Sequence, residues 1–282
     1  MELLRSLGSL IEPPSEEAAK LAELLDLGPL PENSEHTELF LFQLYPFASV
    51  YLDADGKLGG EARDRIAGFW RALDLEPPTE PDHLTVLLAF YSQLAEHEAE
   101  ATGEAQQRWT HARRALLWEH LLSWLPVYVD KVRALDPPFY WAWADVMARA
   151  LVEEAADLPH PSQRPLHLRA APAMIDPRQA TSEAFLEALL SPVRCGFILV
   201  RSDLERAGRE LELGVRAGER RFVLKALLGQ DGAATLAWLS REAERWAERH
   251  CAWEPATGSI ASFWSSRAEA SASLLADLAA EV

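Results

Sequence analysis

Apolar residues recur along this chain at three- and four-residue intervals almost from end to end, the spacing that lines one face of a helix. Ile66, Phe69, Trp70 and Leu73 make one such stripe, and Leu84, Leu87, Leu88, Tyr91 and Leu94 a second. Over residues 104–124 a third holds Trp109, Leu116, Leu117, His120, Leu121 and Trp124; Phe139, Tyr140, Trp143, Met147 and Leu151 continue the pattern. Cys195–Val200 is the single strand-like run. A lone strand has no neighbour to satisfy its backbone, so the run is read as a buried helix and the fold as all-α.

Punctuation divides the helices. Ser15 behind Pro13-Pro14 suits an N-cap for a helix with Ala18, Leu21, Leu24 and Leu25 on one face, and Gly28-Pro29 ends it. Gly59-Gly60, Asp82, Ser191-Pro192, Ser202-Asp203 and Asp231 read as further starts. Pro159, Pro161, Pro165, Pro172 and Pro177 recur with no period. The expected organisation is therefore a helical region 1–156, a proline-rich linker or hinge 157–182, and a helical region 183–282.

No run of about eighteen apolar residues exists to span a bilayer. Residues 1–11, with Glu2 and Arg5, lack the pattern of a secretory signal. Two cysteines, Cys195 and Cys251, are too few for a disulfide framework and read as buried small hydrophobes in a reducing cytoplasm. The net charge is −17, from 27 basic and 44 acidic residues; the first hundred residues hold 6 basic and 20 acidic side chains. That sign argues against a nucleic-acid partner and suits a basic one, though a solvated acidic face would look the same.

Catalytic motifs are missing: no GxGxxG, no GxxxxGK[ST], no GxSxG, and His97-Glu98 has no second histidine four positions on. His160 and His167 do not make a metal site by themselves, and neither a metal nor a cofactor is expected. A nucleotide hydrolase is disfavoured by the missing phosphate loop.

Two clusters remain. Leu44–Asp53 is an aromatic loop with a proline, either a plug for the core or a rigid pocket for an apolar peptide. Glu80-Pro81-Asp82-His83-Leu84 heads a helix; Asp82 reads as its N-cap, or as part of a polar group that meets a cation, with His83 titrating near neutrality. Tyr45, Phe47, Tyr51 and Trp70 are expected to line a groove beside this helix start.

The order of these motifs resembles the TorD/DmsD-type redox-enzyme maturation chaperones. The resemblance rests on SVYLD at Ser49–Asp53, Pro81-Asp82-His83-Leu84, the HLxxW of His120–Trp124, and Pro138-Phe139-Tyr140. Phe47 stands where many members carry tryptophan. The resemblance covers about residues 38–155. It implies an all-helical cytoplasmic chaperone, without a cofactor of its own, that binds the twin-arginine leader of a molybdopterin oxidoreductase. It also implies that the apoenzyme is held for cofactor insertion before export. The implied peptide-binding residues are Tyr45, Phe47, Ser49, Tyr51, Trp70, Glu80, Asp82 and His83; His120, Trp124, Phe139 and Tyr140 are implied to be structural. The alternative is an assembly subunit or scaffold retained by a mature redox complex. A helical chain with a long hinge suits a monomer or a domain-swapped dimer.

Overall fold

The computed structural model describes residues 2–215 and 217–282. They are helical, and the one pairing of extended backbone among them is an isolated antiparallel bridge between Phe47 and His83. The chain forms two compact units: Met1–Ser49 with Leu58–Pro165, and Val50–Lys57 with Leu166–Val282.

The first unit holds α1 (Glu2–Ser9), α2 (Glu16–Leu24), α3 (Asn33–Thr37) running on into a π-helical turn (Glu38–Gln43), and α4 (Ala48–Leu52), which crosses to the second unit. It continues with α5 (Gly60–Ala72), α6 (Leu84–Glu100), α7 (Gly103–Ala115), a second π-helical turn (Leu116–Leu121), α8 (Leu125–Leu135) and α9 (Pro138–Asp157). Helix α6 is the centre, with Leu84, Leu87, Leu88, Tyr91 and Leu94 all buried as their spacing predicts. Gly8 lets α1 lie close on it: a Cβ there would stand 3.2 Å from Leu88 Cβ. Trp143 Nε1 of α9 donates to Leu7 O at 2.9 Å. Arg113 of α7 pairs with Glu98 of α6 at 2.6 Å and Glu154 of α9 at 3.2 Å, and Tyr91 Oη donates to Glu154 at 2.6 Å. Burial and the Glu154 carboxylate both push the Tyr91 hydroxyl far above its ordinary pKa, so it stays a donor.

The second unit holds α10 (Leu166–Ala170), α11 (Ser182–Leu189), α12 (Pro192–Cys195), α13 (Arg201–Glu210), α14 (Arg220–Gln230), α15 (Gly232–Cys251), α16 (Glu254–Thr257) and α17 (Ser259–Glu281). Asp231 caps α15 by accepting from Ala234 N at 2.9 Å. Helices α15 and α17 pack along one another and bury Trp238, Trp246 and Trp264. Residues 50–57 belong to this unit. Ser191 Oγ donates to Asp53 O at 3.2 Å and Arg194 Nε to Ala54 O at 2.7 Å. Gly56, at φ +64°, lies so close to Leu190 O that a Cβ would stand 3.1 Å away.

Several expectations are corrected. Cys195–Val200 is not a helix: Gly196, in the left-handed conformation, ends α12 after Cys195, and Phe197–Val200 follow as a buried bend and irregular stretch. Side chains satisfy that backbone: His250 bonds Gly196 O at 2.7 Å, Arg220 donates to Leu199 O, and Asp203 accepts from Val200 N. Asp203 thus serves inside the first turn of α13, which starts at Arg201. Helix α2 is capped by Ser15 but buries Ala18 and Ala22, leaving Leu24 exposed. Cys251 is exposed, unlike Cys195. The stripe over residues 104–124 is not one helix, because a π-helical turn and a break at Trp124 intervene. The proline-rich stretch is not all loop: α10 lies in it with Leu168 buried.

Candidate functional site

The aromatic loop and the head of α6 meet through the backbone. Helix α6 begins at Leu84, whose amide is one of the four that a helix start leaves without an internal acceptor. Pro46 O accepts it at 2.8 Å. Ala48 N donates to Asp82 O at 3.0 Å, completing the bridge that places Phe47 opposite His83. Their rings meet edge to face, centroids 4.7 Å apart.

Asp82 is not the N-cap. His83 occupies that position, with no side-chain capping bond. Asp82 is 2 % exposed, and its Oδ2 accepts from Ser49 N at 3.2 Å. Ser49 is buried in turn, and its Oγ accepts from Gly59 N at 3.2 Å. Asp82 therefore tethers the loop, and Ser49 is a structural link between Asp82 and the start of α5.

His83 is half-buried beside Glu12, Nδ1 to Oε1 3.8 Å. Burial holds its pKa below the ordinary value, outweighing the carboxylates of Glu12, Glu80 and Asp82 that work the other way. Burial thus favours the neutral ring, and the three carboxylates favour its protonated form. Glu80 is exposed, and its carbonyl accepts from His83 N.

The remaining residues separate. Tyr45 is partly exposed and Phe47 half-buried. Trp70 lies flat on Phe90 of α6 at 3.7 Å, which makes it largely a packing residue. Tyr51 is fully buried and belongs to the second unit. The structure thus joins Phe47, Ser49, Asp82 and His83. Glu12 had no sequence signal, because it reaches His83 from 71 positions away.

The four motif residues downstream are buried. Trp124 Nε1 donates to His120 O at 2.8 Å. The His120 ring lies against Phe69, and burial, aided by Arg65, pushes its pKa down to about 3. Tyr140 packs edge-on against Phe40, centroids 4.7 Å apart, and next to Phe139. Among the described residues, no group of three or more His, Cys, Asp or Glu is placed to hold a metal ion. No described helix is long and apolar enough to cross a membrane.

Comparison with known proteins falls on this region. Residues 10–130 match the family described as nitrate reductase delta subunit. Over 118 residues the chain is 26% identical to the chaperone protein TorD of Vibrio cholerae serotype O1, El Tor Inaba strain. The Classical Ogawa strain's protein of the same name matches equally. In both cases 39% of this chain and 51% of the relative are covered, so the chain spans about half the length of the curated relatives it matches. Over residues 10–130 the chain is thus similar to the delta-subunit family, and over 118 residues to the TorD chaperones.

Proposed function

We propose that this protein is a cytoplasmic maturation chaperone that binds the twin-arginine leader of a molybdopterin oxidoreductase and holds the apoenzyme until its cofactor is inserted. The observation that carries this is the junction of Phe47 with Asp82 and His83. An aromatic ring, an imidazole and the carboxylates of Glu12 and Glu80 surround one helix start, inside residues 10–130, which match the delta-subunit family. A twin-arginine leader offers two guanidinium groups and an apolar run. Carboxylates accept guanidinium bonds bidentately, and aromatic faces take both apolar atoms and flat cations. The acidic first hundred residues steer such a ligand inward.

Calorimetry tests this with two synthetic peptides, one with adjacent arginines before a ten-residue leucine–alanine run and one with lysines in their place. The arginine peptide is expected to bind, at least tenfold more tightly than the lysine peptide, and more weakly as salt rises. No binding by the arginine peptide refutes the proposal. The description of the matched family as a subunit favours a second reading, an assembly factor retained by the mature complex. Co-purification with folded, cofactor-loaded enzyme would favour that one.

A further inference from the structure

Helix α3 and the π-helical turn after it form one continuous rod, residues 33–43, with a sharp division of faces. His36, Leu39, Phe40 and Leu44 are buried. The opposite side shows Leu41 at 52 % exposure, Phe42 at 65 % and Tyr45 at 38 %. Large apolar groups exposed next to one another on a well-packed rod mark a surface that something covers. Trp141, next in the chain to the Tyr140 on which Phe40 packs, is exposed as well.

Carboxylates flank the apolar face on its N-terminal side. Glu32, Glu35 and Glu38 are all exposed. Their bonds are local: Glu32 takes Ser34 Oγ, Glu35 takes Glu32 N, and Glu38 takes Gln43 Nε2. None of the described lysines or arginines forms an ion pair with any of the three. On a helix Glu38 and Phe42 are four apart and share a face, so negative charge borders the exposed ring directly. The patch ends at Tyr45, two residues before Phe47.

We propose that this face is the docking surface for the apolar run of the bound peptide, with a cation beyond the run set against Glu35 and Glu38. This rests on the leader-binding reading: the arginine pair lies toward Phe47 and His83, and the run extends back over Tyr45, Phe42 and Leu41. The rod of residues 33–43 is at most about 16 Å long, a length that about ten helical residues of peptide match. The ligand chemistry is therefore cation, apolar turns, cation, and a peptide with an acidic residue after the run is selected against.

Fluorescence anisotropy tests this with three labelled synthetic peptides. All begin with two arginines. The first continues with ten leucines and alanines and a lysine, the second ends in glutamate instead, and the third replaces the apolar run with serine and glycine. L41S/F42S is expected to bind the first peptide about 10- to 100-fold more weakly and the third no differently from wild type. E35Q/E38Q is expected to lose the preference for lysine over glutamate. F42A alone and F222S, which alters an exposed phenylalanine of the second unit, serve as comparisons; F222S leaves binding unchanged. Equal melting by circular dichroism shows that these surface changes leave the fold intact. If wild type binds the first peptide and L41S/F42S binds it equally well, the docking surface is wrong and the leader-binding proposal stands. If wild type binds none of the three, both fall.

Discussion

Replacing Asp82 by alanine removes the acceptor that holds the aromatic loop to the head of α6. The bond lost is Asp82 Oδ2 to Ser49 N at 3.2 Å, and Ser49 is fully buried, so water does not replace it. A buried donor left without a partner costs about 1–3 kcal/mol. The backbone bond from Ala48 N to Asp82 O survives the substitution, which argues for about 2 kcal/mol, the middle of that range. For a unit of this size each kcal/mol moves the midpoint by roughly 2–4 °C, so Asp82→Ala should melt about 4–8 °C lower. Hydrogen exchange of the Ser49 amide should quicken by about thirtyfold, the factor that corresponds to 2 kcal/mol. Asp82→Asn keeps an acceptor and loses the charge, so it should fall by about 1 kcal/mol or less. If the arginine pair also engages this carboxylate, Asp82→Asn loses peptide affinity far out of proportion to its melting. Wild-type melting together with wild-type exchange at Ser49 in Asp82→Ala would refute the tether.

Other consequences are open to direct measurement. His120 is 4 % exposed with a folded pKa of about 3, whereas in the unfolded chain it takes a proton near 6.5. The stability it lends is complete above pH 6.5 and lost as pH falls, about 2 kcal/mol by pH 5; melts of His120→Gln between pH 7.5 and 5 should be flatter than wild type, and equal slopes would contradict this. Trp124→Ala should cost about 3–5 kcal/mol in urea unfolding, since the ring is fully buried and its Nε1–H bond is lost with it. Gly196→Ala places a Cβ 2.2 Å from Ala268 N in a left-handed residue and should lower the second unit's stability by roughly 2–5 kcal/mol. Gly28→Ala, equally left-handed but in open space, should cost only about 1–2 kcal/mol by the same thermal assay.

How far the sequence carried depends on whether the deciding interaction is local. Helix α6 was legible because burial of Leu84, Leu87, Leu88, Tyr91 and Leu94 follows from spacing alone, and the caps at Ser15 and Asp231 because their bonds span three residues. Asp82 was misread for the opposite reason. Its partner lies 33 residues away, and Pro-Asp before a helix looks the same whether the carboxylate caps or tethers. The run after Gly196 escaped because its backbone is satisfied by His250 and Arg220, from other helices. Of the candidate site, the adjacency of Phe47 and His83 was expected; the burial of Ser49 was not, and Tyr51 took the core-plug alternative that local sequence leaves open, since local sequence does not reveal what covers a side chain. Phe42 shows the converse, an apolar residue that periodicity would hide and the fold leaves bare.

The crossing segment Val50–Lys57 bears on how the chain is made. These residues emerge from the ribosome more than a hundred positions before Ser191 and Arg194, the groups that hold Asp53 and Ala54. The second unit therefore does not close on itself as soon as its own long stretch is synthesised; it must recover a piece delivered earlier, from the middle of the first. Such a long-range closure slows folding relative to helices that pack on near neighbours. Nor does a single cut yield both halves intact: a chain ended at Pro165 leaves residues 50–57 without their partners, and a chain begun at Leu166 lacks Tyr51, a core aromatic of the second unit.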